Sequence, residues 1–281
     1  VGTNFTHIYK SSFRILSFGS KYDVRDKSIV SEIINKYNPD YVINLASIST
    51  LRECDENENL CYEISFNGNK NIINSLKSCP KIKSYLYVSS SEVYDHNFYS
   101  NDYEINELDR LSKYNSYNLG KIDSEEYCNA VKNNSYKINI ARPFTHIGPL
   151  QSARFGFSAI AKKIVKSNTN IIDAGNTQRG RDITDVRDVC SAYLGILKSD
   201  FDKQIFNICS SNYINLDSYI SIINDLLDKN IIFNNKKSLI RKDERNYKKG
   251  SYKKIQKAIN WNPKYTIKKT INDILIYWGN N

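Results

Sequence analysis

Tyr117 and Lys121 are four residues apart, which places both side chains on one face of a helix if residues 117–131 are helical. An ammonium group beside a phenol stabilises the phenolate, so we expect Lys121 to lower the pKa of Tyr117 below its usual value of about 10. Such a tyrosine can exchange a proton with a substrate oxygen. In a chain with 21 tyrosines such pairs also arise by chance, and Tyr265 with Lys269 is another. The neighbouring residues must therefore show which pair can take part in proton transfer.

Only the pair at Tyr117 follows a predicted strand that ends in hydroxyl groups. Val88 ends that strand, and Ser90 lies two residues beyond it, followed by Glu92. Ligands of parallel α/β sheets bind beyond the carboxyl ends of the strands, where a serine hydroxyl can polarise a substrate oxygen. Ser90, Tyr117 and Lys121 are therefore a candidate proton-transfer set, and Glu92 is either a general base or an acidic loop residue.

The elements that must position this set alternate between strands and helices. Apolar periodicity predicts, in order, strand 13–18, helix 29–37, strand 41–46, a helix ending at 79, strand 84–88, helix 117–131 and strand 137–141. This alternation is typical of an α/β fold with a doubly wound parallel sheet.

After Pro149 the alternation loosens, and helices dominate the pattern. The sequence predicts helices 155–166, 186–197 and 215–227, a strand 204–208, a helix from 251 and a last helix ending at 278. We therefore predict a Rossmann domain at 1–150 and a smaller, interwoven substrate domain at 151–281, with residues 186–208 returning to the first domain.

The composition excludes several classes of protein. Lys and Arg exceed Asp and Glu by 40 − 30 = +10, but the basic residues occur as scattered pairs, which favours a solvated surface and a phosphate-bearing small substrate over nucleic acid. No apolar run reaches the roughly 18 residues of a membrane-spanning helix. The cysteines form no Cys-x-x-Cys pair and the three histidines are far apart, so we predict a cytoplasmic protein with six reduced thiols and no metal.

Several segments resemble the extended short-chain dehydrogenase/reductases that act on nucleotide sugars. The matches follow the family order along nearly the whole chain: strand end 42–47, helix segment 67–71, and Ser90, Tyr117 and Lys121 on the catalytic triad. The family begins with a strand and a Gly-x-x-Gly-x-x-Gly turn that binds the cofactor pyrophosphate. We expect Gly2 to be the last glycine of that turn, with the first strand and about a dozen residues missing.

Segments 142–151, 181–188, 206–210, 249–251 and 260–263 resemble the reductases of this family that act on GDP-linked sugars. The resemblance implies a homodimer that uses NAD(P)H to reduce the C4 ketone of a GDP-4-keto-6-deoxy-hexose. Glu92 leaves a GDP-mannose 4,6-dehydratase open, and another nucleotide-sugar epimerase or dehydratase is also open. A non-catalytic nucleotide-sugar or NADP sensor is the further alternative, which the intact triad disfavours.

The resemblance also assigns binding residues. Cofactor contacts fall on Gly2, Asp23, Val24, Leu45, Ala46, Ser47, Asn67, Pro143, Phe144 and His146, besides Tyr117 and Lys121. Substrate contacts fall on Ser49, Ser91, Thr145, Arg181 and Arg241, with Arg245 as a further candidate. The arginines suit a diphosphate because one guanidinium group can donate to two phosphate oxygens at once. No acidic residue directly follows Phe18 and Lys21 is close to it, which favours NADP over NAD.

Overall fold

The computed structural model describes residues 1–100, 102–132, 135–167, 170–240 and 247–281. Helices and strands alternate in its first half. Their bounds are α1 (Gly2–Tyr9), α2 (Lys27–Tyr37), β1 (Tyr41–Asn44), α3 (Leu51–Glu56), α4 (Glu58–Leu76), β2 (Ser84–Val88), β3 (Glu104–Ile105), α5 (Ser116–Ala130), β4 (Lys137–Pro143) and β5 (Thr145–Ile147).

The second half holds more helices and shorter strands. Their bounds are α6 (Gly156–Lys166), β6 (Ile171–Ala174), β7 (Arg181–Asp185), α7 (Val186–Lys198), β8 (Ile205–Ile208), β9 (Tyr213–Ile214), α8 (Leu216–Leu227), β10 (Ile232–Asn235), β11 (Lys249–Gly250), α9 (Lys253–Ile259) and α10 (Ile267–Asn280). The sequence predicted these helices to within a few residues, but of these strands it predicted only β8.

A four-stranded parallel sheet forms the centre of the fold, in the order β1-β2-β4-β8. Strand β2 is buried along its whole length, which explains its continuous run of apolar and aromatic residues. All four strands are parallel, so their carboxyl ends lie at one edge of the sheet. The predicted α/β fold with a parallel sheet is confirmed.

Smaller sheets surround this centre. Strand β7 lies between β5, to which it is parallel, and β9, to which it is antiparallel, while β6 pairs with β10 and β3 with β11. Helix α7 packs on β2 and β4, and β8 belongs to the main sheet. The division into two domains at residue 150, with residues 186–208 returning to the first, stays a prediction.

Residues 13–18 do not form a strand, so that prediction is wrong. Strand β1 pairs with β2 and with no other strand in the part of the chain that the structure describes. A strand needs a neighbour to satisfy its N–H and C=O groups, and Leu16 and Phe18 remain 43% and 40% exposed. The alternation of apolar residues indicates an extended backbone, but it does not show whether a neighbouring strand is present.

Two of the six cysteines form a disulfide, so the prediction of six reduced thiols is wrong. Cys54 in α3 and Cys61 in α4 are joined, with their Cα atoms 5.3 Å apart, within the range that disulfides require. Asn57 separates the two helices: its N–H donates to the Cys54 carbonyl, and its own carbonyl accepts from the Cys61 N–H. The other four cysteines are free and buried: Cys79, Cys128, Cys190 and Cys209.

Helices α4 and α5 approach closely because Gly120 has no side chain. A Cβ atom at this position would lie 3.0 Å from the Cβ of Ser65 and 3.3 Å from the Cα of Tyr62. One turn later, the Ser124 hydroxyl donates to the Ser65 carbonyl at 2.8 Å. Helix α5, which carries the candidate catalytic pair, is therefore fixed against α4.

None of the helices in the described ranges combines the length and the apolar composition that a membrane span requires.

A buried ion pair ties α5 to β4. The Arg142 guanidinium donates to both carboxylate oxygens of Glu125, and both side chains are almost fully buried, at 3% and 4% exposure. Arg142 also donates to the Tyr94 hydroxyl at 2.9 Å, which in turn donates to Asn207 on β8 at 2.6 Å. The pair and its neighbours thus connect the sheet, α5 and the loop after β2.

Replacing Arg142 by leucine should lower the free energy of unfolding by about 3–5 kcal/mol, because Glu125 would stay buried without its partner. The matched control is R52L in the exposed pair between Arg52 and Glu56, which should cost less than about 1 kcal/mol. Chemical denaturation of both variants measures the difference. Equal losses would contradict the importance of the buried pair.

Candidate active site

The start of α5 positions Tyr117 through a side-chain cap. The Asn115 side chain accepts from the Asn118 N–H at 2.9 Å, which satisfies one of the unpaired donors at the helix start. The Asn118 side chain then donates to the Glu92 carbonyl in the loop that follows β2. The first turn of α5 is therefore attached directly to the loop that carries Ser90.

Lys121 makes the second attachment between α5 and β2. Its ammonium group is 3% exposed and donates to the Val88 carbonyl at 2.9 Å, at the carboxyl end of the strand. Burial lowers the pKa of Lys121 from 10.5 to about 8, and the Glu125 carboxylate acts in the opposite direction. The ammonium lies 5.9 Å from the centre of the Tyr117 ring, so the two side chains are neighbours on one helix face, as predicted.

Tyr117 has a raised pKa, contrary to the expectation that Lys121 lowers it. Burial raises the pKa of Tyr117 from 10.0 to about 12, and a hydrogen bond with Ser90 acts in the opposite direction. The Lys121 ammonium donates to the Val88 carbonyl, and removal of the phenol from water dominates. Tyr117 is therefore fully protonated at neutral pH, the state in which it can donate a proton.

Ser90 caps a short 3-10 turn, Ser91–Val93, that follows β2. Its hydroxyl accepts from the Glu92 N–H at 3.1 Å and also contacts Tyr117. Ser91 is buried, and its carbonyl lies 2.8 Å from Nε2 of the buried His96. The predicted triad of Ser90, Tyr117 and Lys121 is thus assembled at the carboxyl end of β2.

The carboxylate of Glu92 is held by two phenols. The hydroxyls of Tyr114 and Tyr247 both donate to Glu92 Oε2, at 3.3 and 3.2 Å. Tyr247 is 155 residues away in sequence, so this bond joins the loop after β2 to the segment just before β11. Glu92 therefore stands beside the triad with its carboxylate already engaged by hydrogen-bond donors.

Arg181 stacks on the same tyrosine. Its guanidinium carbon lies 3.5 Å from the centre of the Tyr247 ring, and the group donates to the Gly180 carbonyl at 3.0 Å. Thr145 lies on the neighbouring strand, where it pairs with Ile183. The other predicted substrate arginines, Arg241 and Arg245, lie outside the described residues, and the predicted Ser49 is exposed after β1.

Several of the predicted cofactor residues lie at or near the carboxyl ends of β1 and β4. The Ala46 N–H donates to the Asn44 side chain, and the Ser47 hydroxyl donates to the Ile48 carbonyl. A Cβ atom on Gly2 would lie only 3.5 Å from the Leu45 side chain, so the start of α1 lies next to the end of β1. The arrangement places a helix N-terminus, which favours anions, at the edge where the strands end.

At the end of β4, Pro143 pairs with Ile208, and the buried Phe144 follows. Nδ1 of His146 lies 3.0 Å from the Phe144 carbonyl. Burial lowers the pKa of His146 to about 4, although its hydrogen bond with the Phe144 carbonyl acts in the opposite direction. His146 is therefore neutral at pH 7.

Asn67 lies on the exposed face of α4. It is exposed on α4, whereas Ser65 and Asn69, two residues before and after it, are buried, and Asn69 bonds to Ser124 on α5. Two residues correspond to about 200° around a helix, so Asn67 points away from the face that carries Ser65 and Asn69. The prediction of a cofactor contact at Asn67 is therefore not supported by its position.

Two further predicted cofactor residues, Asp23 and Val24, lie in the segment before α2, next to α4. The Asp23 carboxylate pairs with Arg25 at 2.6 Å, and Arg25 also reaches Glu63 on α4. Val24 packs on Gly68, where a Cβ atom would lie 2.5 Å from its methyl group. These two residues are held against α4, and a role toward the cofactor stays a prediction.

Comparison with known proteins assigns the family. The NAD dependent epimerase/dehydratase family matches residues 7–209, well over half of the chain. The chain belongs to this family. Its sequence is 26% identical to GDP-6-deoxy-D-mannose reductase of Pseudomonas aeruginosa over 269 residues, which cover 94% of this chain and 88% of that protein.

Solved structures agree with this family assignment. The structure of RMD from Pseudomonas aeruginosa complexed with NADPH has a TM-score of 0.87 and 25% identity, and the match covers 100% of this chain and 96% of the other. A UDP-glucose 4-epimerase of Thermotoga maritima, solved with UDP-glucose, has a TM-score of 0.84 at 16% identity, covering 99% and 94%. At that identity the second likeness shows the fold alone.

The donor groups at the strand ends fit the cofactor of this epimerase/dehydratase family. An ammonium group carries three N–H donors, and Lys121 uses one of them on Val88, which leaves donors for ribose hydroxyls. The buried Ser89 hydroxyl, at the end of β2, has no partner within the described chain. A buried polar atom of this kind calls for a ligand or water to satisfy it.

Sequence reasoning missed several residues around the triad of this family member. Asn118, His96, Tyr114 and Tyr247 all contact the loop from Ser90 to Glu92 or its neighbours. Asn118 was detectable as the residue beside Tyr117. The others are brought in by tertiary folding, and no local spacing identifies them.

The lowered pKa of Lys121 predicts a pH-dependent stability. Between pH 8 and 10.5 the unfolded chain retains the Lys121 proton while the folded chain has released it, so raising the pH favours the folded state. Across this window, wild type should gain stability relative to K121M by on the order of 3 kcal/mol. Denaturation of both proteins at several pH values measures this gain. A stability difference between wild type and K121M that does not change with pH would contradict the lowered pKa of Lys121.

Proposed function

We propose that this protein is an NADPH-dependent nucleotide-sugar ketoreductase that reduces the C4 ketone of a GDP-4-keto-6-deoxy-hexose. The observation that carries the proposal is the assembled set of Ser90, Tyr117 and Lys121 at the end of β2. The likeness to GDP-6-deoxy-D-mannose reductase over 94% of the chain supports the GDP-linked substrate. The NADPH in the similar structure supports that cofactor, with NAD as the alternative.

When bound, NADPH supplies the hydride that converts the ketone carbon to an alcohol. Tyr117, protonated at neutral pH, donates its proton to the oxygen of that ketone. The Ser90 hydroxyl, which already contacts Tyr117, donates a hydrogen bond to the same oxygen and stabilises the charge that develops there. Lys121 fixes α5 on β2 and offers its remaining donors to the nicotinamide ribose.

The substrate diphosphate would be held by Arg181, with Thr145 and Ser91 close to the sugar. Arg181 forms no ion pair with any carboxylate in the described part of the chain, so its charge is available to an anion. The excess of basic residues over the whole chain adds a favourable field for such a substrate. The predicted homodimer and the cytoplasmic location stay predictions.

A 4,6-dehydratase is the second candidate because Glu92 lies where related dehydratases carry a base. That reaction returns the borrowed hydride to the same sugar, so it consumes no cofactor. In this chain the Glu92 carboxylate accepts hydrogen bonds from Tyr114 and Tyr247, which favours a positioning role over proton abstraction.

Cofactor consumption separates the two candidates. We expect the protein to oxidise one NADPH for each GDP-4-keto-6-deoxy-mannose, and to leave GDP-mannose unchanged, in a fluorescence assay of NADPH. Y117F should lower the turnover at least about a hundredfold, the scale of a lost general acid. Y127F is the matched control, since Tyr127 is on the same helix and contacts Asn74 instead, and it should retain normal turnover.

Two outcomes would overturn the proposal. Near-normal turnover of Y117F would remove Tyr117 from the role of proton donor. Conversion of GDP-mannose to a 4-keto sugar without added reductant, lost in E92Q, would replace the reductase by the dehydratase.

A further inference from the structure

Arg181 and Arg187 both stack on tyrosine rings, and among the described residues only Arg187 has carboxylate partners. Arg187 lies 3.8 Å from the centre of the Tyr265 ring and forms ion pairs with Asp185 and Asp273, both at 2.7 Å. Arg181 lies 3.5 Å from the centre of the Tyr247 ring and has no carboxylate partner in the described part of the chain. The Tyr247 ring, together with a hydrogen bond to the Gly180 carbonyl, therefore holds the Arg181 guanidinium in place.

The backbone beneath Arg181 is rigid. The neighbouring Asp182 carboxylate is buried and accepts backbone N–H groups of Ser210, Ser211 and Gly250, at 2.9 to 3.1 Å. The orientation of the Arg181 side chain thus depends on what its guanidinium contacts. Those contacts are the Tyr247 ring and the Gly180 carbonyl.

Tyr247 itself is bound to the loop that carries Ser90. Its hydroxyl donates to Glu92, two residues after Ser90, and its ring centre lies 5.1 Å from that of His96. His96 is buried, and it contacts the Ser91 carbonyl and accepts from the Lys248 N–H. One tyrosine therefore connects Arg181, which has no carboxylate partner among the described residues, to the loop that carries Ser90.

We propose that Tyr247 is a positioning residue for the substrate diphosphate: its ring orients the Arg181 guanidinium, and its hydroxyl fixes that group relative to Ser90. This inference rests on the proposed nucleotide-sugar substrate. A planar guanidinium held by a ring keeps its N–H donors pointing outward, in the arrangement that binds two phosphate oxygens at once. Tyr247 thereby sets the distance between the diphosphate and the reacting carbon of the sugar.

The test is the affinity for GDP, measured by calorimetry for wild type, Y247L and Y247F. Y247L should weaken GDP binding about tenfold, because it removes the ring under Arg181. Y247F keeps the ring and should bind GDP within about twofold of wild type, yet lower kcat about threefold at an unchanged KM, because its bond to Glu92 is lost. The matched control Y265L removes the other arginine stack and should leave GDP affinity unchanged.

Action through Arg181 is tested by a double-mutant cycle. Once R181Q has removed the guanidinium, adding Y247L should cost almost no further GDP affinity. Tyr247→Gln, a polar residue without a ring, replaces Y247L if thermal melting shows that the leucine variant is unfolded. Full GDP affinity of the ring-free variant, an equal loss in Y265L, or additive losses in the cycle would overturn the inference. If wild type binds no nucleoside diphosphate at all, the proposed function fails together with it.

Discussion

A buried ammonium group bound to the last carbonyl of a strand is the constraint on which the site depends. Lys121 is only 3% exposed, and its ammonium group donates to the Val88 carbonyl. This hydrogen bond offsets part of the cost of removing the charge from water. Because Tyr117 lies one turn earlier on α5, the same bond directs its phenol toward Ser90. The packing of α5 on α4 at Gly120 and the buried pair of Arg142 with Glu125 keep the helix in that position.

The electrostatics of the site follow from burial more than from charge pairs. Burial raises the pKa of Tyr117 to about 12 and lowers that of Lys121 to about 8, so each group shifts toward its neutral form. A protonated phenol suits a reaction in which an alkoxide must be quenched. Reduction of a ketone has this requirement, whereas abstraction of a sugar proton needs a base.

Local sequence patterns were sufficient to predict the central parallel sheet and to select Ser90, Tyr117 and Lys121 as the candidate set. The buried run of β2, the spacing of Tyr117 and Lys121, and the serines after the strand can all be read from neighbouring residues. The cofactor contact expected at Asn67 stays a prediction that its exposed position on α4 does not support, because its segment was matched by similarity and not by which side of the helix is buried. Strand 13–18 failed because alternation does not show whether a neighbouring strand is present.

Contacts made by tertiary folding could not be predicted in this way. Tyr247 meets Glu92 across 155 residues, and the Cys54–Cys61 disulfide depends on how α3 turns into α4 at Asn57. A single sequence contains no signal for either pairing. The stack of Arg181 on Tyr247 belongs to the same class, although the arginine itself was recognised by similarity.

Transfer of deuterium from labelled cofactor tests the central claim most directly. NADPH carrying deuterium at both C4 positions of its nicotinamide would be supplied with GDP-4-keto-6-deoxy-mannose, and the product examined by mass spectrometry and proton NMR. Reduction of the ketone predicts one deuterium per product molecule, located at C4 of the sugar. A sugar product without deuterium, or with deuterium at another carbon, would contradict the account.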